Sequence, residues 1–119
     1  MNANALRGLY RLSVEATEAI NAARETVASF IGAPHAQDVV FCRNTSEALN
    51  MVAKSFGASI LKPGDEVCIS IMEHHSNLIP WQQVCRATGA SLVYLRPDEH
   101  GVITPEEMDA KICERTKIV

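Results

Sequence analysis

Apolar residues recur along the chain at spacings that predict helices and short strands in alternation. A first helix is predicted over residues 13–31, where apolar side chains recur every three or four positions and Ser13 is the expected N-cap. Residues 38–42 are short, apolar and rich in β-branched side chains, which predicts a buried strand. A second helix follows, and its inner face is predicted to consist of five apolar residues: Leu49, Val52, Ala53, Phe56 and Ile60.

The second half of the chain continues this alternation. Strands are predicted over residues 66–71 and 90–95, and another begins at residues 117–119. Helices are predicted over residues 78–88, with Pro80 in the first turn, and over residues 104–113, with Thr104 as the cap. Strands that alternate with helices indicate an α/β fold with a mainly parallel sheet. Because the last residues are typical of a strand that is just beginning, we interpret the chain as a fragment.

Composition narrows the class of protein. The 119 residues suit one globular domain, since 47% are hydrophobic. The net charge of −3 and the scattered Lys and Arg residues argue against a nucleic-acid partner. No apolar run approaches the ~20 residues that span a bilayer, and the first residues lack a secretory signal, so we predict a soluble, intracellular protein. The four cysteines form no C-x-x-C pair, and Cys42 and Cys68 are expected to be small buried hydrophobes.

The run Asn44-Thr45-Ser46-Glu47 lies at a predicted strand-to-helix turn. A helix that follows a parallel strand directs its free backbone N–H groups to the carboxyl edge of the sheet. A phosphate placed there would gain those donors and the hydroxyls of Thr45 and Ser46. Alternatively, Asn44 and Glu47 form an ordinary capping box and the turn binds nothing.

The run Glu73-His74-His75-Ser76-Asn77 also follows a predicted strand and precedes a helix. The two histidines are adjacent and therefore point in different directions, and no third ligand has suitable spacing, which argues against a metal site. An imidazole here could stack on a planar cofactor and exchange protons near neutral pH. The alternative is an exposed loop in which Ser76 or Asn77 caps the next helix.

Three segments, residues 7–18, 43–53 and 72–82, resemble the cysteine desulfurases, and more narrowly the selenocysteine-lyase-like branch of the class V aminotransferase superfamily. The specific part is the pattern Glu-His-His-Ser-Asn-Leu-x-Pro-Trp that begins at Glu73, and residues 61–67 fit as well. The resemblance runs in order over essentially the whole chain.

This resemblance implies that residues 1–119 are the N-terminal part of the large domain of a fold-type I enzyme that uses pyridoxal 5′-phosphate. Such enzymes resemble aspartate aminotransferase in fold. They are cytoplasmic homodimers that take sulfur from L-cysteine, or selenium from selenocysteine, and leave L-alanine. The sulfur becomes an enzyme persulfide and passes to an acceptor protein, for iron–sulfur cluster assembly or other uses. By matching position, Thr45 and Ser46 would contact the cofactor phosphate, and His74 would stack on its ring and help to move protons.

The chain departs from the family pattern at two positions, with Asn44 where glycine is usual and Tyr10 where histidine is usual. In the family, the lysine that binds the cofactor, the aspartate that pairs with its ring nitrogen, the sulfur-accepting cysteine and the substrate-binding arginine all lie later in the chain. No lysine or cysteine of this sequence matches those positions, so we expect the chain to be inactive alone.

Two alternatives stay open at this point. The first is another enzyme of the same superfamily that uses the same cofactor, such as an aminotransferase, an epimerase or a kynureninase-like enzyme. The second is a non-enzymatic α/β module that carries His74 and His75 on a surface loop. The sequence does not choose between cysteine, cysteine sulfinate and selenocysteine as the substrate.

Overall fold

The computed structural model describes residue 8 and residues 10–119, and these form two compact units that divide after Phe41. In the first unit, helix α1 spans Arg11–Ile31 and a 3-10 turn spans Ala36–Asp38. The cap of α1 is Tyr10, so the prediction that Ser13 caps this helix was wrong. The end was predicted correctly, because Gly32 adopts the left-handed conformation (φ 71°) that closes a helix.

The second unit contains three short parallel strands and the remaining helices. In chain order they are α2 (Thr45–Val52), a π-helical turn (Ala53–Gly57), α3 (Ala58–Ile60), β1 (Glu66–Ser70), α4 (His75–Thr88), β2 (Ser91–Leu95), α5 (Pro105–Lys111) and β3 (Thr116–Ile118). The sheet order is β2-β1-β3, and both neighbours run parallel to β1. The predicted α/β class with a parallel sheet is therefore confirmed.

Strand β1 lies in the middle of the sheet and is buried on both faces. Val67 and Ile69 join a cluster with residues of α4 and the π-helical turn, whereas Cys68 points to the other face. Burial raises the pKa of the Cys68 thiol, as expected for a cysteine that packs as a small hydrophobe. A central strand covered on both sides explains why its sequence is almost continuously apolar.

The strand predicted over residues 38–42 is not present. Val39 is extended and buried, but residues 39–42 pair with no strand among the described residues. A strand exists only where a neighbour provides hydrogen bonds to its backbone. The apolar pattern identified an extended segment correctly but could not show that a partner was lacking.

The inner face predicted for the second helix was also partly wrong. Ala53 is fully buried, but Val52 and Phe56 are 46% and 56% exposed. The π-helical turn changes the number of residues per turn from Ala53 onward, which rotates Phe56 away from the predicted stripe. Ile60, beyond the turn, packs against the core as predicted, and Val52 precedes the turn, which does not account for its exposure. Gly57, rather than Phe56, faces inward at the end of this turn.

Helix α4 begins at His75, three residues before its predicted start at Leu78. Pro80 therefore lies in the second turn, where it is fully buried and removes one helical hydrogen bond. No helix in the described part of the chain is both long and apolar enough to cross a membrane.

Candidate functional site

The amino end of α2 is closed by two hydrogen bonds that involve Asn44 and Glu47. The Oδ1 atom of Asn44 accepts a hydrogen bond from the backbone N–H of Glu47 at 2.9 Å. The Glu47 carboxylate in turn accepts from the backbone N–H of Arg43 at 2.7 Å. Asn44 is fully extended (φ −166°, ψ 171°), a conformation that any residue adopts. Asparagine therefore replaces the glycine of the family pattern without strain. Asn44 caps the helix as predicted, but the Glu47 carboxylate bonds the N–H of Arg43 rather than that of Asn44, so the predicted capping box forms only in part.

This cap leaves the first two residues of α2 free. Thr45 and Ser46 are exposed, and among the described residues neither hydroxyl has a hydrogen-bond partner. Their backbone N–H groups are the first two of the helix, which have no partner inside it. Two hydroxyls and two amides at the positive end of a helix form a set of donors suited to the oxygens of a phosphate.

The one acidic group at this helix end is neutralised locally. A side-chain oxygen of Glu47 lies 3.0 Å from a guanidinium nitrogen of Arg43. Hydrogen bonds from the Arg43 side chain and backbone lower the pKa of Glu47 below its ordinary value, so the carboxylate stays ionised and paired. The pairing with Arg43 reduces the repulsion that Glu47 would exert on an anion bound at Thr45 and Ser46.

The amino end of α4 is capped by His74. Its Nδ1 atom accepts from the backbone N–H of Ser76 at 3.1 Å and lies 2.9 Å from the Ser76 hydroxyl. The expectation that Ser76 or Asn77 caps this helix was therefore wrong. Because a backbone N–H can only donate, Nδ1 must carry a lone pair, and the neutral ring then has its proton on Nε2. The ring is exposed, so its face and Nε2 remain accessible.

His75 occupies the first turn of α4 and is also exposed. Its ring lies edge-on to that of His74, with centroids 6.2 Å apart and planes at 78°. Within the described residues, no group of three or more histidine, cysteine or acidic side chains could hold a metal ion.

The structure places the two predicted motifs at the amino ends of α2 and α4, two helices that pack against each other. Sequence reasoning missed two further residues beside this site. Asn77 accepts a hydrogen bond from the indole of Trp81 and donates one to Glu73. The spacing could have predicted the contact between Asn77 and Trp81, since residues four apart share one face of a helix.

Helix α4 follows the central strand β1 directly, so His74 lies at the carboxyl edge of the parallel sheet, where α/β proteins bind ligands. The family model described as aminotransferase class-V matches residues 1–119, and the chain belongs to that family. This membership confirms the resemblance to the class V superfamily on which the site assignments depend.

Individual relatives are named as cysteine desulfurases. The chain is 47% identical over 118 residues to a probable cysteine desulfurase of Halalkalibacterium halodurans, covering 99% of this chain and 29% of that protein. It is 44% identical over 118 residues to a cysteine desulfurase of Synechococcus elongatus, covering 99% of this chain and 19% of that one. The chain thus spans less than a third of the length of these relatives.

Solved structures agree. The cysteine desulfurase CsdA from Escherichia coli, in its S-sulfonic acid form, superposes with a TM-score of 0.76 at 35% identity, over 96% of this chain and 29% of that one. The apo cysteine desulfurase from Thermococcus onnurineus NA1 gives a TM-score of 0.80 at 39% identity, over 92% of this chain and 27% of that one.

Proposed function

We propose that this chain is part of a cysteine desulfurase and that it holds the phosphate and one face of the ring of pyridoxal 5′-phosphate. The observation that carries this proposal is the amino end of α2, where the amides and hydroxyls of Thr45 and Ser46 have no hydrogen-bond partner in the described part of the chain. The names of the relatives supply the reaction, because both curated relatives described above are cysteine desulfurases.

The residues present fit this cofactor. A phosphate needs several converging donors, and Thr45 and Ser46 offer them at the positive end of a helix. A pyridine ring needs a flat, accessible surface, and the exposed imidazole of His74 offers one. The bound cofactor would supply an electron sink for breaking bonds at the substrate's α- and β-carbons.

Thr45, Ser46 and His74 then have defined roles. Thr45 and Ser46 anchor the phosphate and thereby fix the position of the ring. His74 covers one face of the ring and excludes water from it. Its Nδ1 is engaged by the helix cap, so any proton that His74 donates must leave from Nε2. His75 has no assigned role.

The remaining properties of the full protein follow from its relatives. We propose that it is a cytoplasmic homodimer that acts on L-cysteine or selenocysteine and passes sulfur to an acceptor protein, including for iron–sulfur cluster assembly. Residues 1–119 would be part of its cofactor-binding large domain. The cofactor-binding lysine and the sulfur-accepting cysteine are expected in the part of the relatives that this chain does not match.

The test is to express the complete reading frame and purify the protein. It should be yellow, with a visible absorption band that borohydride abolishes, and it should release alanine from L-cysteine. A colourless protein that gains no absorbance with added pyridoxal phosphate would contradict the proposal. A yellow protein that turns over other amino acids but not cysteine would identify another enzyme of the class V family.

A pair of adjacent substitutions tests the assignment of the histidine. His74→Ala should shift the absorption band and slow turnover, because it removes the ring surface. His75→Ala is the matched control and should do far less. Equal effects of the two substitutions would show that the role given to His74 is wrong.

A further inference from the structure

We propose that Asn77 and Trp81 are positioning residues for His74. They connect the loop of residues 71–74, here called the His74 loop, to the hydrophobic core through hydrogen bonds that end at Glu73. The inference rests on the proposed function, since it concerns how the imidazole assigned to the cofactor ring is held.

The chain of hydrogen bonds has a defined direction. The indole Nε1–H of Trp81 donates to Oδ1 of Asn77 at 3.0 Å, and Nδ2 of Asn77 donates to a carboxylate oxygen of Glu73 at 2.9 Å. An indole can only donate and a carboxylate can only accept, so the Asn77 amide fits in one orientation alone. The Asn77 amide therefore bonds through its oxygen to Trp81 in the core and through its nitrogen to Glu73 in the loop.

The inner end of this chain is rigid. Trp81 is 6% exposed and belongs to the core cluster with Val67 and Ile69 of β1. Its ring also lies close to the π-helical turn, because a Cβ atom on Gly57 would come within 3.0 Å of Trp81 Cζ3. The indole cannot turn without displacing its neighbours, so the position of its N–H, and with it that of Asn77, is set by the core.

At the surface end of this chain of hydrogen bonds, the bonded residues lie before and after His74 in the sequence. Glu73 precedes it, and the backbone N–H of Asn77 donates to the His74 carbonyl at 2.8 Å. The ring itself is tied to Ser76. His74 is thus connected to the first turn of α4 through its main chain and its side chain, and that turn is connected to the core through Trp81. Without the bond to Glu73, the exposed loop before His74 loses this connection to α4.

A purely structural explanation makes a different prediction. If Asn77 served only to satisfy the buried indole N–H, then Asn77→Asp would be harmless, because the acceptor oxygen remains. If Asn77 also holds Glu73, the same substitution places two carboxylates against each other and releases the loop. Folding should survive in either case, since an acidic residue in the first turn of a helix is favourable.

The experiment uses the complete, cofactor-loaded protein and its cofactor-free form. Asn77→Asp should weaken pyridoxal phosphate binding roughly tenfold, as expected for losing a charge-assisted hydrogen bond. It should also alter the visible circular dichroism of the bound cofactor and lower kcat more than it changes KM. Adding Glu73→Gln should rescue these properties, because the new amide can donate to the new carboxylate. Trp81→Phe, which removes the indole N–H and keeps a smaller aromatic ring in the core, should show the Asn77→Asp pattern in weaker form, and its melting temperature reports the loss of packing separately.

A matched control removes a different hydrogen bond of α4, the one from Gln82 to Tyr94 of strand β2. Tyr94→Phe removes the hydroxyl that accepts from Gln82 at 3.4 Å, a bond with no link to the His74 loop, and should leave cofactor binding unchanged. In cofactor-free protein, nitrogen NMR of the His74 ring should show the proton on Nε2 in the wild type and a mixture of tautomers in Asn77→Asp. Unchanged tautomer and affinity in Asn77→Asp would overturn the inference. A wild-type protein with the Nε2–H tautomer but no cofactor binding would instead overturn the proposed function.

Discussion

The substitution Asn44→Asp should separate the stability of α2 from its ability to bind a phosphate. Aspartate keeps the side-chain oxygen that accepts from the Glu47 backbone N–H, so the cap survives. The added negative charge interacts favourably with the helix dipole, which contributes about 0.3–1 kcal/mol to the stability of the helix. The same charge repels a phosphate bound at Thr45 and Ser46. Folding and binding should therefore respond in opposite directions.

The repulsion can be estimated from the geometry of the helix end. A phosphate at this end would lie within about one helical turn of residue 44, or roughly 5.4 Å. At that separation two unit charges repel by about 0.8 kcal/mol in water and about 3 kcal/mol at an effective dielectric constant of 20. A value between these limits corresponds to a loss of affinity on the order of tenfold.

The assay compares pyridoxal phosphate with unphosphorylated pyridoxal on the complete protein at low ionic strength, where screening is weakest. Asn44→Asp should weaken binding of the first ligand and leave that of the second unchanged, while the melting temperature of the cofactor-free protein stays equal or rises. Asn44→Ser, a neutral cap, is the control and should bind both ligands normally. Equal affinity for pyridoxal phosphate in wild type and Asn44→Asp, or an equal loss for both ligands, would refute the placement of the phosphate at α2.

Three further predictions concern stability and reactivity. Gly57→Ala should destabilise the fold by about 1 kcal/mol in a denaturant titration. The new Cβ atom would lie 3.0 Å from Trp81, and this overpacking outweighs the better helix propensity of alanine. A more stable variant would contradict this. Hydrogen bonds from Arg115 lower the pKa of Glu66 below its usual value of 4.5, so this pair stabilises the fold above about pH 4.5 and the stabilisation is lost as pH falls through the lowered pKa. The difference in unfolding free energy between wild type and Arg115→Met should therefore shrink over that acidic range. A difference that stays constant with pH would be inconsistent with this pairing. Mass mapping after brief treatment with a thiol reagent should find the exposed Cys113 modified. The buried Cys68 and Cys85, whose pKa values burial raises, should stay unmodified until the protein unfolds. Early modification of either buried cysteine would disprove the packing.

Much of the fold was predictable because its signals are local. The ends of α1 and α4 coincide with Gly32 and Gly89, which adopt the left-handed conformation that glycine accommodates without strain. Thr104 caps α5 through the backbone N–H of Glu107, as the sequence predicted. The alternation of helices and strands was sufficient to predict a parallel sheet.

The errors occurred where a distant partner decides the outcome. The apolar run at residues 38–42 is not a strand, since no described strand lies beside it to complete its hydrogen bonds. Phe56 left its predicted face because a π-helical turn lies there, and helical periodicity assumes a constant number of residues per turn.

For the candidate site, the sequence by itself supplied the proposal of which residues carry the chemistry. The types of Thr45, Ser46 and His74, together with the family pattern, make them the candidates before any coordinate is known. Only the tertiary structure decided how they are held. It showed that Asn44 caps α2 while Thr45 and Ser46 keep donors without partners among the described residues, and that His74 is itself a helix cap. It also showed that the loop of His74 is connected to a buried indole, because hydrogen bonds and burial depend on where packed helices place atoms.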